Sequence, residues 1–211
     1  MRGRSAGGGH HERAHEQRRR VAVEAARLMT ESGIRDFHMA KRKAAERLGV
    51  RDDTHLPKNS EIEEALREHQ RLFEGDAHAQ HLHELREVAR EAMRFFARFE
   101  PRLVGAVLEG TADRHSAVCL HLFCDTPEEV IGFLSENAIP FEEQARRLRL
   151  DASTHAEFPA FVFRAESTPV DVTVLPRDNL RQAPLDRVDE KPMRRATLAM
   201  VEQLLAGPPS D

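Results

Sequence analysis

The hydrophobic period of the chain changes at Pro101. From Val21 to Phe99 apolar residues recur every three to four positions, and beyond Pro101 stretches in which they recur at every second position appear, interrupted by short helical ones. A chain patterned this way is expected to fold as α+β, with a helical N-terminal portion followed by a small mixed, mainly antiparallel sheet with flanking helices. Glycines divide the helical stretch. Val21, Ala25, Leu28 and Met29 share one face of a first helix that stops at Gly33, a residue suited to the left-handed position after a helix end. A second helix runs from about Asp36 to Leu48, with Phe37, Ala40, Ala44 and Leu48 in a stripe. Ser60 and Glu63 form a capping-box pair that starts a third, carrying Ile62, Leu66, His69 and Phe73. Leu82, Leu85, Val88, Ala92, Phe95, Phe96 and Phe99 define a fourth.

In the second part, Leu103–Leu108 reads as a strand ended by Gly110-Thr111, and Val118–Cys124 as another. Thr126-Pro127-Glu128-Glu129 starts a helix over 128–137. Arg146–Leu150 is a candidate strand, and Phe158–Ala165 with Val170–Leu175 reads as a hairpin. A loop over 176–192 precedes a final helix, Arg194–Leu205. The expected organisation is therefore a basic disordered tail over 1–20, a helical region over 21–100, an α/β region over 101–206 and a short tail over 207–211.

Composition narrows the function. Lys and Arg number 32 against 36 Asp and Glu, and the formal charge of -4 gives no electrostatic case for a general nucleic-acid binder. Residues 1–20 are the exception, with six Arg, two acidic residues and His10, His11 and His15. They read as a frayed tail, or as an arm touching phosphates of RNA or DNA. No run reaches the roughly 18 apolar residues of a membrane span, and no secretory apolar centre is present, so a cytoplasmic protein is expected. Cys119 and Cys124 fall on opposite faces of one strand, which argues against a disulfide between them. His78, His81 and His83 lie on a helix whose geometry offers no three-ligand face, and a solvated face is expected. Cys119 and His121 share a strand face. They read as a nucleophile and base, or, in a fold that brings Asp171 near, as three ligands of a soft metal such as zinc, or as a buried thiol beside an imidazole satisfied by the backbone.

The segments Val104-Gly105-Ala106-Val107-Leu108-Glu109-Gly110-Thr111, His115-Ser116-Ala117-Val118-Cys119-Leu120 and Pro169-Val170-Asp171-Val172-Thr173-Val174 together resemble the polymerase-beta-like nucleotidyltransferase superfamily. There an apolar strand leads into Gly-Ser or Gly-Thr, Ser-Asp-x-Asp opens the next strand, and a third carboxylate stands on a later one. Carboxylates at i and i+2 project from one strand face and, with the third, hold two metal ions that align a hydroxyl with a nucleotide. The resemblance implies that Gly110 and Thr111 contact phosphate, that Ser116 precedes the first carboxylate position, and that Asp171 is the third carboxylate and a metal ligand. Ala117 and Cys119 occupy the positions of the first two. Neither an alanine nor a thiol holds Mg²⁺ as a carboxylate does. The stretch from Val21 through Phe73, with Ala40-Lys-Arg-Lys-Ala-Ala-Glu-Arg-Leu-Gly49, is also similar to bacterial proteins described as nucleotidyltransferase-like.

The resemblance thus implies a module with a degraded two-metal site that binds a nucleoside triphosphate, or a protein or RNA partner, and no membrane. The alternatives are an active Mg²⁺-dependent nucleotidyltransferase with a rearranged set such as Glu109, Asp125 and Asp171, and a helical interaction protein with an exposed apolar stripe over 60–99.

Overall fold

A computed structural model describes residues 8–50, 56–73, 75–151, 153–186, 188 and 191–207, with the backbone alone for 8–13 and 71–73. The fold is α+β, with two compact units, 1–75 and 76–211.

The first unit is helical. Helix α1 (Gly8–Ser32) packs on α2 (Phe37–Arg47) and α3 (Asn59–Phe73). It begins well ahead of Val21, so residues 8–20, expected as a disordered tail, are helical. Apart from its opening glycines this stretch contains ordinary helix formers, and Glu16 and Arg19 pair one turn apart at 3.9 Å. Residues 1–7 and 208–211 of the expected tails, and the side chains of His10, His11 and Phe73, lie outside the described residues. Small residues dominate the core: Val21, Ala22, Ala25, Leu28 and Met29 of α1 meet Ala40, Ala44 and Ala45 of α2 and Ile62 of α3. Asp36 caps α2 by accepting the Met39 N–H at 2.7 Å. At α3 the cap falls two residues ahead of Ser60, where Glu61 reaches back to the Lys58 N–H at 2.7 Å.

The second unit begins with α4 (Gly75–Phe95) and a 3-10 turn, Ala97–Phe99. The boundary expected at residue 100 is therefore displaced to Gly75. The reason is packing: Leu85, Ala89, Ala92, Met93, Phe96 and Phe99 join the apolar core of the sheet. Strand β1 (Arg102–Val104) stops three residues in, and the rest of the expected strand is a short helix, α5 (Ala106–Glu109). Gly105 makes that bend at φ 74° and ψ -156°, a region open almost only to glycine. Then come β2 (Val118–Cys124), α6 (Glu128–Glu136), β3 (Glu142–Arg149), β4 (His155–Ala165), β5 (Thr168–Pro176) and, beyond a loop, α7 (Leu198–Ala206).

The sheet order is β1-β2-β5-β4-β3, with β2 and β5 parallel and the other pairs antiparallel. Val118, Leu120 and Leu122 of β2, Val170, Val172 and Val174 of β5, and Phe161 and Phe163 of β4 share one face and build the core. Pro159 opposes Ala145, and the β4–β5 pairing begins only at Ala160, so its missing N–H disturbs no ladder.

Candidate functional site

The alternation that sends even-numbered residues of β2 and β5 into the core sends the odd-numbered ones to the other face. Parallel pairing then sets Cys119 against Asp171, and His121 against Thr173. The result is a row of four polar side chains, Cys119, His121, Asp171 and Thr173, on the face opposite the apolar core. His121 is 3% exposed and Thr173 5%, whereas Cys119 and Asp171 are half-buried. Gly105 lies at the end of β1 beside them, where an added Cβ would stand 3.8 Å from that of Cys119.

Arg146 on β3 reaches across β4 to donate a hydrogen bond to Oδ2 of Asp171. The same-face residues of β4 at this crossing, Ala160 and Val162, carry no charge of their own. Among the described residues, Oδ1 of Asp171 is buried without a hydrogen-bond partner, and so is Nδ1 of His121. Burial pushes the Asp171 carboxyl above its ordinary range, and Arg146 opposes that shift. Burial, with the positive charge of Arg195 adding to it, holds the His121 imidazole down at about 4, so it is neutral at physiological pH. The Cys119 thiol points to the Ala117 carbonyl at 3.7 Å. Cys119 and Cys124 are not disulfide bonded, as their opposite faces require.

The remaining candidate residues are spread through the unit. Glu109 accepts a hydrogen bond from Arg194 at 2.8 Å. Asp125 pairs with Arg177 at 3.2 Å and is largely exposed. It follows Cys119 by six positions, about 20 Å along an extended strand, so it cannot share a metal with Asp171. Glu109, Asp125 and Asp171 are not brought together, and no group of three His, Cys, Asp or Glu side chains suited to a metal occurs among the described residues. The residues in the row do not fit a Mg²⁺ pair either: Ala117 offers no ligand atom, Cys119 a soft one, and the one carboxylate is neutralised by a guanidinium.

The backbone turn beside the row is Gly105-Ala106. Gly110, expected there, instead ends α5 at φ 79°, and its carbonyl lies 3.2 Å from Nε2 of His78. The Thr111 N–H donates to the Ala106 carbonyl at 3.0 Å. Ser116 is buried and closes the 113–116 turn: its hydroxyl accepts the Asp113 N–H at 2.9 Å and donates to Oδ1 of Asp113 at 3.0 Å. His81 approaches the Asp113 carbonyl at 3.2 Å, so His78 and His81 brace this loop against α4 and do not form the solvated face expected of them. Phe95 is the one large exposed apolar side chain over 60–99 among the described residues, so the stripe expected there is represented by that residue alone.

Two contributors were not singled out by the sequence, and each had a weak signal. Gly105 follows two apolar strand residues directly, as a strand-ending glycine does. Arg146 belongs with Arg147, Arg149, Lys191, Arg194 and Arg195 to the basic groups of which one could contact phosphate in a nucleotide cleft, and no local pattern distinguishes the one that finds Asp171. No family model, no curated protein and no solved structure matches the chain.

Proposed function

We propose that residues 101–206 are a nucleotidyltransferase-fold module that has lost its two-metal site, and that it binds a nucleotide at the Cys119–Asp171 row without transferring it. The observation that carries this reading is the register of Cys119 with Asp171 on adjacent parallel strands, with the carboxylate held by Arg146. In the superfamily two carboxylates on one strand face act with a third on a later strand, and Cys119 and Asp171 stand at the second and third of those positions. The expected turn, Gly110-Thr111, lies at the end of α5, and the glycine that directly follows β1 is Gly105, with Ala106 after it. Here the positive charge next to the carboxylate is a guanidinium, which recognises phosphate oxygens by paired hydrogen bonds and needs no divalent cation. The reading places the protein in a bacterial cytoplasm and assigns it no membrane partner.

The experiment is a pyrophosphate-release assay of the full chain with each of the four ribonucleoside triphosphates and Mg²⁺ or Mn²⁺, run beside a thermal-shift titration. The expected result is stabilisation by at least one nucleotide with no pyrophosphate released. Release that disappears in Asp171→Ala would overturn the reading in favour of an active transferase with substitute carboxylates. No stabilisation by any nucleotide would overturn it in favour of a protein or RNA partner.

A further inference from the structure

The sheet ends in an open edge whose charges are ordered. Strand β3 pairs with β4 on one side, and on its other side the one β-bridge among the described residues is at its last residue, where Leu185 bridges Arg149. Hydrogen bonding fixes which groups face outward. The Leu150 N–H donates to the Thr154 carbonyl, so position 150 bonds toward β4, and the Arg149 carbonyl accepts from Leu185 on the opposite side. By strict alternation, the N–H and C=O groups of Glu143, Ala145 and Arg147 also point outward. Three consecutive outward pairs of backbone groups on an exposed strand form a template for another strand.

The side chains specify which strand. Acidic residues, Glu142 and Glu143, stand at the start of β3, and basic ones, Arg146, Arg147 and Arg149, at its end. Among the described residues Glu142, Glu143 and Arg147 have no ion-pair partner within the chain, and all three are exposed. A parallel copy would oppose like charges. An antiparallel copy does the reverse, and a two-fold axis through Ala145 sets Glu143 of each chain opposite Arg147 of the other, with Ala145 facing Ala145. This register also makes 143, 145 and 147 the hydrogen-bonded positions, which is what the alternation along β3 requires.

We propose that β3 pairs edge to edge with β3 of a second copy of this chain, antiparallel about Ala145, joining two five-stranded sheets into one. The charges that commonly guard an edge strand are here arranged to select the strand's own copy.

The test is sedimentation of the full chain over a wide concentration range, with single and double charge exchanges. A reversible dimer is expected. Arg147→Glu and Glu143→Arg each replace two attractive pairs by two repulsive ones and raise the dimer Kd by about tenfold or more. The double exchange, Glu143→Arg with Arg147→Glu, returns the Kd close to that of the starting protein. Ala145→Pro removes an outward N–H while leaving the ladder to β4 intact, and it abolishes the dimer with the far-ultraviolet circular dichroism unchanged. A chain that stays monomeric at every concentration, or a dimer indifferent to these exchanges, would overturn the proposal.

Discussion

The two faces of β2 and β5 are built on the same backbone, in the same register, and differ only in which alternate residue they present. One face is Val118, Leu120 and Leu122 against Val170, Val172 and Val174, all within 3% of complete burial. Packing alone accounts for it: each side chain removes apolar surface from water, and none needs a partner. The other face sets Cys119 and His121 against Asp171 and Thr173, and it leaves buried polar atoms on Asp171 and His121 without partners. Such groups weaken a fold and are rare unless a ligand or a network uses them. The core face secures the sheet, while the polar row costs it stability.

Four measurements can break or sharpen that contrast. The largest effect belongs to the core face: Leu120→Ala empties a fully buried position and is expected to reduce unfolding free energy by about 3–4 kcal/mol in urea titration. A loss below about 1 kcal/mol would mean that the core face is not what holds the sheet.

Next comes His121, whose imidazole titrates near 4 when folded and near 6.5 when unfolded. Above pH 6.5 both states are neutral and the stability is fully present. As the pH falls toward 4 the unfolded chain takes up a proton that the folded chain refuses, so stability drops by about 3 kcal/mol across that window. Comparing wild type with His121→Leu isolates this component, and equal acid slopes in the two proteins would refute it.

The Asp171–Arg146 pair should be asymmetric. Arg146→Met leaves a half-buried carboxylate uncompensated, at about 1–3 kcal/mol, whereas Arg146→Met combined with Asp171→Leu is expected to recover most of that loss. Failure of the double variant to recover stability would show that the pair contributes more than its mutual charge compensation. The smallest effect is at the rim of the row: Gly105→Ala meets no steric block but forces a side chain into the glycine region, at about 1–2 kcal/mol by thermal unfolding.

Much of the fold was legible because it depends on local periodicity. The alternation of Val118, Leu120 and Leu122 marked β2 to the residue, and Gly33 and Gly49 marked helix ends, each at positive φ. The failures have physical causes of their own. The apolar run from Leu103 to Leu108 has no polar alternation to distinguish a buried strand from a buried short helix, and Gly105 decides the matter. The helical character of 8–20 was hidden by its lack of apolar residues, since periodicity reports burial and not helicity. The division at Gly75 was illegible because α4 has the same pattern whichever core it joins.

For the site, strand parity puts Cys119 and His121 on one face, whereas the place of Asp171 beside them rested on the family resemblance. Arg146 could be read from neither, because its contact with Asp171 crosses a strand that lies between them only in the folded sheet. Glu109 and Asp125 were plausible as isolated acids, and the folded chain gives each its own arginine, Arg194 and Arg177.

The central claim is that the row binds a nucleotide through Arg146 without a metal pair, and calorimetric titration of the full chain with ATP, GTP, CTP and UTP, in Mg²⁺ and again in EDTA, tests it most directly. The account predicts that one nucleotide binds with the same affinity in both buffers and that Arg146→Met abolishes the binding. Binding that requires Mg²⁺ and is lost in Asp171→Ala would contradict it.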